Sequence, residues 1–366
     1  MVTVIPADRS NIDRKMILMV GTSREGAGGI ASVISTYAAH GLFSRWPIVT
    51  LDSHVMGSKW HKARAFFVAW MRFVMILARG RVAVLHLHSS SGPSFLRKAC
   101  FACIAFMFRC PVLLHIHSGE FVSYYQNSSG PLIRRLVRFV FERSERVIAL
   151  SPTWRARYLT IAPGATVICI PNPVLVAPGC PRQLRHFTVV FLGKICAEKG
   201  VYDLIKAWKF VHRSIAGAQL VIAGEGELDA ARREIEQSGL NTSVVLPGWV
   251  SGVEKEKLIE GADICVLPSY FEGMPMSVLE AMGSGIPCVA SAVGGIPDMI
   301  DDRVEGRLIE PGNVTALAAA LIELLGDRDA YGRMSKAALA RFKSNYAADV
   351  VIPKLEALYA EVSVGS

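Results

Sequence analysis

Short apolar runs alternate with longer helical patterns along this 366-residue chain. Continuous apolar runs are typical of strands that are buried on both faces of a parallel sheet, and the helical segments between them supply the crossovers. In the first series the strand candidates are Met16–Gly21, Val82–Leu87, Val112–Ile116, Val147–Leu150 and Val167–Ile170. In the second series they are Thr188–Gly193, Gln219–Gly224, Val244–Pro247, Asp263–Pro268 and Pro287–Ser291. The sequence therefore predicts an α/β protein with two doubly wound, Rossmann-like domains in tandem.

A proline- and glycine-rich segment, 171–185, separates the two series. We place the first domain at 1–180 and the second at 185–340, with a hinge near Pro178–Arg185. Residues 341–366 are predicted to form a C-terminal helix that packs back toward the first domain, after a helix break near Pro353. Ligands of such sheets bind beyond the carboxyl ends of the strands, so we expect the binding site in a cleft between the domains.

The charge of the chain is divided unevenly between its halves. Residues 1–183 hold 22 Lys and Arg against 7 Asp and Glu, a net of +15, whereas residues 184–366 hold 18 against 24, a net of −6. The basic half indicates an anionic partner: nucleic acid, an anionic lipid surface or a diphosphate-linked substrate. Solvated surface charge explains the same numbers. Nucleic acid is not expected, because no aromatic side chains are interleaved on a basic strand face.

The cysteines and the apolar segments indicate the cellular compartment in which the protein is expected. Most of the eight cysteines lie in apolar segments, as buried free thiols do, which favours a reducing compartment. The first residues lack the apolar core of a secretory signal. The apolar run Ala65–Ala78 is interrupted by Arg72 and is too short to span a bilayer. We expect a cytoplasmic protein, with peripheral binding to the inner face of the cell membrane as a further hypothesis.

Two carboxylates eight residues apart, Glu272 and Glu280, mark the strongest candidate site. An apolar strand precedes Pro268, a short loop holds Glu272 and Gly273, and Pro275 stands at a plausible first helical position. Glu280 follows about one turn into the helix. Backbone N–H groups at the positive end of a helix, between two acids, suit a ligand with a central diphosphate and hydroxyl-rich ends. Nucleotide-sugars have this shape.

Two lysines and a glycine stand where strands of the same sheet end. Lys194 follows one strand, and Lys199 comes five residues later at the start of a helix. Two ammonium groups there can neutralise a diphosphate leaving group, although exposed lysines are common on any surface. Gly226 ends the next strand and allows close approach of a nucleobase or its ribose, or simply makes a turn.

Glycines and histidines mark the corresponding strand ends of the first half. Gly28 and Gly29, within the loop that begins at Gly26, allow the backbone to approach a phosphate or sugar. A dinucleotide fingerprint is disfavoured, since Asp52 is the only acidic candidate and no clear second strand precedes it. His117 closes the third strand, where an imidazole can donate to a substrate hydroxyl or accept its proton.

Three further histidines accompany His117, namely His86, His88 and His115. Alternation along the strand places His115 and His117 on one face. A metal site made of the four is conceivable, but no carboxylate accompanies them at ligand spacing, and no Asp-x-Asp pair stands in a suitable place. The sequence therefore predicts no metal and no cofactor.

In order along the chain, these motifs resemble the GT-B glycosyltransferases of the large retaining family called family 4. The resembling segments are Gly26-Ala-Gly-Gly-Ile30, the strand ending at His117, Ala149-Leu-Ser-Pro152, Ile170-Pro-Asn-Pro-Val174, Phe191-Leu-Gly-Lys194, Glu198-Lys-Gly200, Ile222-Ala-Gly-Glu-Gly226, Gly248 and Phe271-Glu-Gly-Met-Pro-Met-Ser-Val-Leu-Glu-Ala-Met282. The resemblance covers nearly the whole chain. One departure is Lys194, where the family usually has Arg; lysine keeps the charge but loses the bidentate fork.

The resemblance implies a role for each site residue. Glu280 would hold the donor ribose, and Glu272 would contact the transferred sugar near its reacting face. His117 would contact the same sugar from the first domain. The diphosphate and sugar would also be lined by Gly28, Gly29, Lys194, Lys199 and the backbone of Gly273, Met274 and Pro275.

The implied activity is a retaining transfer of a hexose or N-acetylhexosamine from a UDP- or GDP-sugar to a saccharide hydroxyl. An acceptor linked to polyprenyl diphosphate, in cell-surface polysaccharide biosynthesis, suits a basic first half with apolar helices. The basic helix 131–143 and the residues Lys59, Lys62 and Arg64 motivate this hypothesis. The alternatives are a GT-B nucleotide-sugar epimerase and a non-catalytic nucleotide-sugar-binding protein.

Overall fold

The computed structural model describes residues 15–22, 28–52, 59–175 and 179–364. The chain divides into two compact units, the first comprising 1–175 together with 348–366 and the second comprising 176–347. Each unit contains one six-stranded sheet, and the strands pair in parallel throughout. The predicted α/β class with two doubly wound sheets is confirmed.

The sheet of the first unit has the strand order β2-β1-β3-β4-β5-β6. Its strands are β1 (Met16–Gly21), β2 (Ile48–Asp52), β3 (Val82–Ser89), β4 (Val112–Ile116), β5 (Arg146–Ala149) and β6 (Val167–Cys169). The helices between them are α1 (Gly29–Ala39), α2 (Leu42–Arg45), α3 (Lys59–Ala78), α4 (Pro93–Met107), α5 (Phe121–Ser123), α6 (Pro131–Arg143) and α7 (Pro152–Ile161), with a π-helical turn at Tyr124–Ser128. Because β3 and β4 lie in the middle of the sheet, they are buried along their whole length.

The sheet of the second unit has the order β12-β11-β10-β7-β8-β9. Its strands are β7 (Thr188–Leu192), β8 (Gln219–Ala223), β9 (Val244–Gly248), β10 (Ile264–Leu267), β11 (Cys288–Ser291) and β12 (Gly306–Ile309). Its helices are α8 (Val201–Ser214), α9 (Leu228–Gln237), α10 (Gly252–Gly261), α11 (Met276–Gly283), α12 (Ile296–Met299), α13 (Val314–Gly326) and α14 (Arg328–Asn345), with a 3-10 turn at Ala197–Lys199. The ends of β7, β8 and β10 carry the candidate site residues.

Two strands, β2 and β12, were not predicted from the sequence. Each lies at an edge of its sheet, where one side has no neighbouring strand and the side chains are partly exposed. These two strands therefore lack the continuous apolar pattern of the central ones, whereas the other edge strands, β6 and β9, were predicted. The existence of β2 also corrects the view that no clear strand precedes Asp52.

The predicted helix break near Pro353 is wrong. The break falls after α14, where Tyr346 leaves the helical conformation, and the last helix, α15 (Ala348–Val364), contains Pro353. Pro353 lies in the second turn of α15, so it removes one backbone hydrogen bond without ending the helix.

The last helix belongs to the first unit. The backbone N–H of Ala348 donates to the Val174 carbonyl over 3.0 Å, and Asp349 pairs with His40 over 2.7 Å. Arg45 donates to Glu356 over 2.7 Å. These polar contacts attach the end of the chain to the sheet-covering elements of residues 1–175.

Candidate functional site

Glu272 lies in the loop after β10 and is joined there to Lys199. Lys199 Nζ donates to Glu272 Oε1 over 2.6 Å, and Ser269 Oγ donates to the same oxygen over 2.8 Å. The Glu272 side chain is only 8% exposed, whereas that of Lys199 is 29% exposed. Gly200 lets the two loops approach, because its φ is +70° and a Cβ there would lie 2.1 Å from the Pro268 carbonyl oxygen. The structure thus brings two of the predicted residues into direct contact.

Glu280 forms a second lysine–carboxylate pair, with a partner that the sequence did not reveal. It is the fifth residue of α11, and Lys255 Nζ, from α10, donates to its Oε1 over 2.6 Å. Burial raises the pKa of the Glu280 carboxyl, and the Lys255 ammonium opposes that rise. Lys255 belongs to a charged run, 254–257, in which nothing distinguishes it from exposed Lys257. Only the tertiary structure selects it.

The start of α11 lies between these two pairs. The helix begins at Met276, so Pro275 is the capping residue in an extended conformation rather than the first helical residue as predicted. No side chain caps the first turn. Met274 is buried, and the Gly273 carbonyl accepts from Gly295 N–H over 3.0 Å, which fixes the loop. The positive end of a helix therefore stands between Glu272 and Glu280.

Lys194 and Gly226 lie at the ends of the neighbouring strands. Lys194 is exposed two residues beyond β7. Gly226 forms a parallel bridge with Ile195, and its φ of +127° would place a Cβ 2.4 Å from the Ile195 carbonyl oxygen. Backbone packing therefore requires glycine at 226, whatever the site binds.

The predicted glycine loop lies at the start of α1 in the first unit. Gly26 and Ala27 lie outside the described residues. Gly28 has a φ of +120°, and a Cβ at Gly28 or Gly29 would meet no described atom within 4 Å. Gly28 caps α1 and Gly29 begins it, and backbone N–H groups at a helix start can bind a phosphate or sugar.

Four histidines cluster at the carboxyl ends of β3 and β4. His88 Nδ1 and His117 Nε2 are 2.9 Å apart, and His86 Nε2 and His115 Nδ1 are 3.4 Å apart. The rings of His115 and His117 lie with centroids 4.1 Å apart, on the one face that the alternation predicted. His86 Nδ1 also lies 2.6 Å from the Tyr359 hydroxyl of α15. The cluster therefore connects β3, β4 and the last helix.

Burial keeps these imidazoles uncharged. It lowers the pKa of His86 and of His117 to about 3. Electrostatic repulsion between the two rings, were both protonated, adds to the lowering at His86. A hydrogen bond with the Asn172 side chain opposes the lowering at His117. Burial is also the main cause that holds the pKa values of His88 and His115 well below the usual range. Burial also lowers the pKa of the Lys98 ammonium to about 7. A group with so low a pKa is a poor general base at neutral pH, so His117 is suited to hydrogen bonding as a neutral imidazole.

Two family descriptions match separate parts of the chain. Residues 33–177 match "Glycosyltransferase Family 4", and residues 186–327 match "Glycosyl transferases group 1". The boundary between the two matches falls beside the division between the two compact units.

Curated relatives align with part of the chain. An uncharacterized glycosyltransferase of Methanocaldococcus jannaschii is 36% identical over 38% of this chain and 36% of its own length. A glycogen synthase of Mycobacterium tuberculosis is 29% identical over 66% of this chain and 61% of its own. The UDP-Gal:alpha-D-GlcNAc-diphosphoundecaprenol alpha-1,3-galactosyltransferase of Escherichia coli is 24% identical over 69% of each chain. The alignments thus span from about a third to two thirds of these relatives.

Solved structures share the fold over nearly the whole chain. A sucrose-phosphate synthase from Thermosynechococcus elongatus has a TM-score of 0.75 at 20% identity, covering 96% of this chain and 100% of its own. HepE of Anabaena, solved in complex with UDP and glucose, has a TM-score of 0.73 at 15% identity, covering 95% of this chain and 100% of its own. At these identities the likeness concerns the fold.

Proposed function

Because the chain belongs to the group 1 glycosyltransferases and has the GT-B fold, we propose that it is an active hexosyltransferase. It moves a hexose or N-acetylhexosamine from a UDP- or GDP-sugar to a saccharide hydroxyl, with the anomeric configuration retained. The observation that carries this proposal is the pair of lysine–carboxylate contacts, Lys199–Glu272 and Lys255–Glu280, on either side of the start of α11.

The two pairs and the helix start match the three parts of such a donor. Glu280 accepts hydrogen bonds from the ribose hydroxyls, and Glu272 accepts from the transferred sugar. The diphosphate lies at the start of α11, where the helix dipole favours negative charge. Lys199 is 29% exposed beside Glu272, so its ammonium can reach the leaving group while still orienting the carboxylate. Lys194 adds a second positive charge.

The transfer needs no protein nucleophile. The bond between the anomeric carbon and the diphosphate oxygen breaks, and the acceptor oxygen bonds to the same face of that carbon. The acceptor proton moves to the departing diphosphate oxygen, which serves as the base. His117 of the first unit, whose pKa burial lowers, is suited to hydrogen bonding as a neutral imidazole. We propose that this chemistry proceeds without a catalytic metal, the charge being neutralised by lysines and backbone dipoles.

The acceptor proposal rests on an exposed surface formed by α3, α4 and α6. Phe106 of α4 and Phe139 of α6 stack edge to face, which joins the two helices. The large exposed apolar side chains described on these helices are Phe67, Val68, Met71, Met75, Met107, Leu132 and Phe139. Arg135, Arg138 and Arg143 of α6 are exposed as well.

An apolar surface with arginines around it suits an anionic membrane, where a polyprenyl-diphosphate acceptor would be anchored. The name of the Escherichia coli relative specifies such an acceptor for that enzyme. The side chains of Lys59 and Lys62 lie outside the described residues. No helix in the described part of the chain has both the length and the hydropathy that crossing a membrane demands.

The test is a turnover assay on a panel of UDP- and GDP-sugars, with soluble and polyprenyl-diphosphate-linked saccharides as acceptors. We expect nucleotide release with one donor class, a product of unchanged anomeric configuration by proton NMR, and loss of turnover in Glu272→Gln. Glu256→Gln, an exposed change on α10, is the matched control. An inverted product would refute retention, and an epimerised free nucleotide-sugar would indicate an epimerase. Donor binding without turnover on any acceptor would indicate a non-catalytic binding protein.

A further inference from the structure

Three imidazoles of the first unit have the spacing of metal ligands. One ring nitrogen each from His86, His88 and His115 lies within 4.8 Å of the other two. His86 Nε2 and His115 Nδ1 are 3.4 Å apart. Two nitrogens bound at about 2.0–2.1 Å to one tetrahedral zinc ion are separated by roughly the same distance. All three side chains are buried.

The hydrogen bonds of these histidines leave nitrogens available for an ion. His86 Nδ1 is bonded to the Tyr359 hydroxyl, which leaves its Nε2 directed toward His115. His88 Nδ1 is bonded to His117, and the buried Nε2 atom of His88 has no hydrogen-bond partner among the described residues. A hydrogen bond at one ring nitrogen commonly fixes the tautomer of a histidine that binds metal through the other. Tyr359 forms this kind of hydrogen bond with His86, and His117 forms it with His88.

We propose that His86, His88 and His115 bind a transition-metal ion of the zinc and cobalt class. Neutral imidazoles are ligands that such ions prefer. The sequence predicted no metal because no carboxylate stands at ligand spacing, but the register that pairs His88 with His115 brings three imidazoles together without one. The ion joins β3 to β4 and, through His86 and Tyr359, to α15. Its role is structural and separate from the proposed sugar transfer, which needs no metal.

The experiment uses the full chain, free of any affinity tag and stripped with a chelator. Co²⁺ is titrated in and followed by its visible absorption, and Zn²⁺ is then added as competitor. We expect one ion per chain, with the intense bands of a tetrahedral site. His88→Gln should weaken binding by about 100-fold or more, because it removes a metal ligand and not merely a residue that hydrogen-bonds to a ligand. His186→Gln, at an exposed histidine of the second unit, is the control and should bind as the unaltered chain does.

A second measurement guards against a variant that fails to fold. In the unaltered chain with ¹⁵N-labelled histidine, Zn²⁺ should shift the ring signals of His86, His88 and His115 and leave that of His186 in place. The proposal is overturned if the chain binds no stoichiometric ion. It is equally overturned if the shifts fall on histidines outside the cluster, or if folded His88→Gln binds as tightly as the unaltered chain.

Discussion

The two units handle charge in opposite ways at their candidate sites. The first half of the chain carries a net +15, yet its buried histidines are neutral. The second half carries a net −6, yet its two key carboxylates are each paired with a lysine. Burial lowers the pKa of the histidines, whereas at Glu280 burial raises the pKa and the paired Lys255 ammonium opposes that rise. The sign of a domain's net charge therefore says little about the charge in its site.

The largest effect is expected at the Lys199–Glu272 pair. Glu272→Gln removes the charge that orients Lys199 and the oxygen that accepts from the sugar, so kcat/KM should fall by about 10³-fold, roughly 4 kcal/mol of transition-state stabilisation. Steady-state kinetics measure the loss, and a thermal melt verifies folding. Glu256→Gln should lose less than about twofold. A loss below about tenfold in Glu272→Gln would mean that the pair is structural.

Acid should destabilise the first unit before the second. His86 and His117 have pKa values near 3 in the folded protein against 6.5 for free histidine, so the unfolded chain binds more protons between these values. The free energy of unfolding of the metal-free first unit should therefore fall as pH drops from 6.5 toward 3, by several kcal/mol in total.

Hydrogen exchange resolved by segment measures this difference between units. Exchange in β3 and β4 should accelerate between pH 7 and pH 5, after correction for intrinsic rates, while exchange in β7 and β10 changes less. Equal acceleration in both sheets would refute the contrast.

A smaller effect is expected from Lys255. Lys255→Met removes the charge that holds down the raised pKa of Glu280, so a larger fraction of that carboxyl is protonated near neutrality. The donor KM should rise about tenfold with little change in kcat, and it should fall again as pH increases and Glu280 ionises. The pH dependence of KM is the measurement. Lys257→Met, two residues along the same helix, should show neither change, and a pH-independent KM in Lys255→Met would exclude this role.

The smallest effect concerns the membrane surface on α6. Arg135 is exposed, and one arginine near an anionic bilayer contributes about 1 kcal/mol. Arg135→Gln should therefore weaken binding to phosphatidylglycerol-containing vesicles about fivefold, as measured by sedimentation. Arg328→Gln, exposed at the start of α14, is the control from the second unit. Equal binding by both variants would remove α6 from the proposed surface.

The central strands could be predicted from sequence because they are continuously apolar. The bounds of β1 and β4 agree with the predicted segments residue for residue. The strands β2 and β12 could not, since their partly exposed residues interrupt that pattern. Pro353 misled because a proline near the start of a helix is tolerated where one deeper inside is not.

Some residues of the candidate site could likewise be predicted from the sequence, and others could not. Motif spacing placed Lys199 and Glu272 at ends of strands in one sheet, and the structure joins them. Lys255 could not be found, because nothing in its charged helical segment indicates that it contacts Glu280 of another helix. The sequence grouped the four histidines as a conceivable metal site, but only the β3–β4 register shows that His88 lies directly opposite His115.

The central claim is that the second unit binds the donor, with Glu280 on the ribose and Glu272 on the sugar. Calorimetric titration of the unaltered chain, Glu280→Gln and Glu272→Gln tests it, using the nucleoside diphosphate and the nucleotide-sugar that the turnover panel selects. Glu280→Gln should weaken both ligands by about tenfold or more, the loss of a hydrogen bond to a charged group. Glu272→Gln should leave nucleoside diphosphate binding within about threefold and weaken only the nucleotide-sugar. Equal affinity of Glu280→Gln and the unaltered chain for the nucleoside diphosphate would contradict the account.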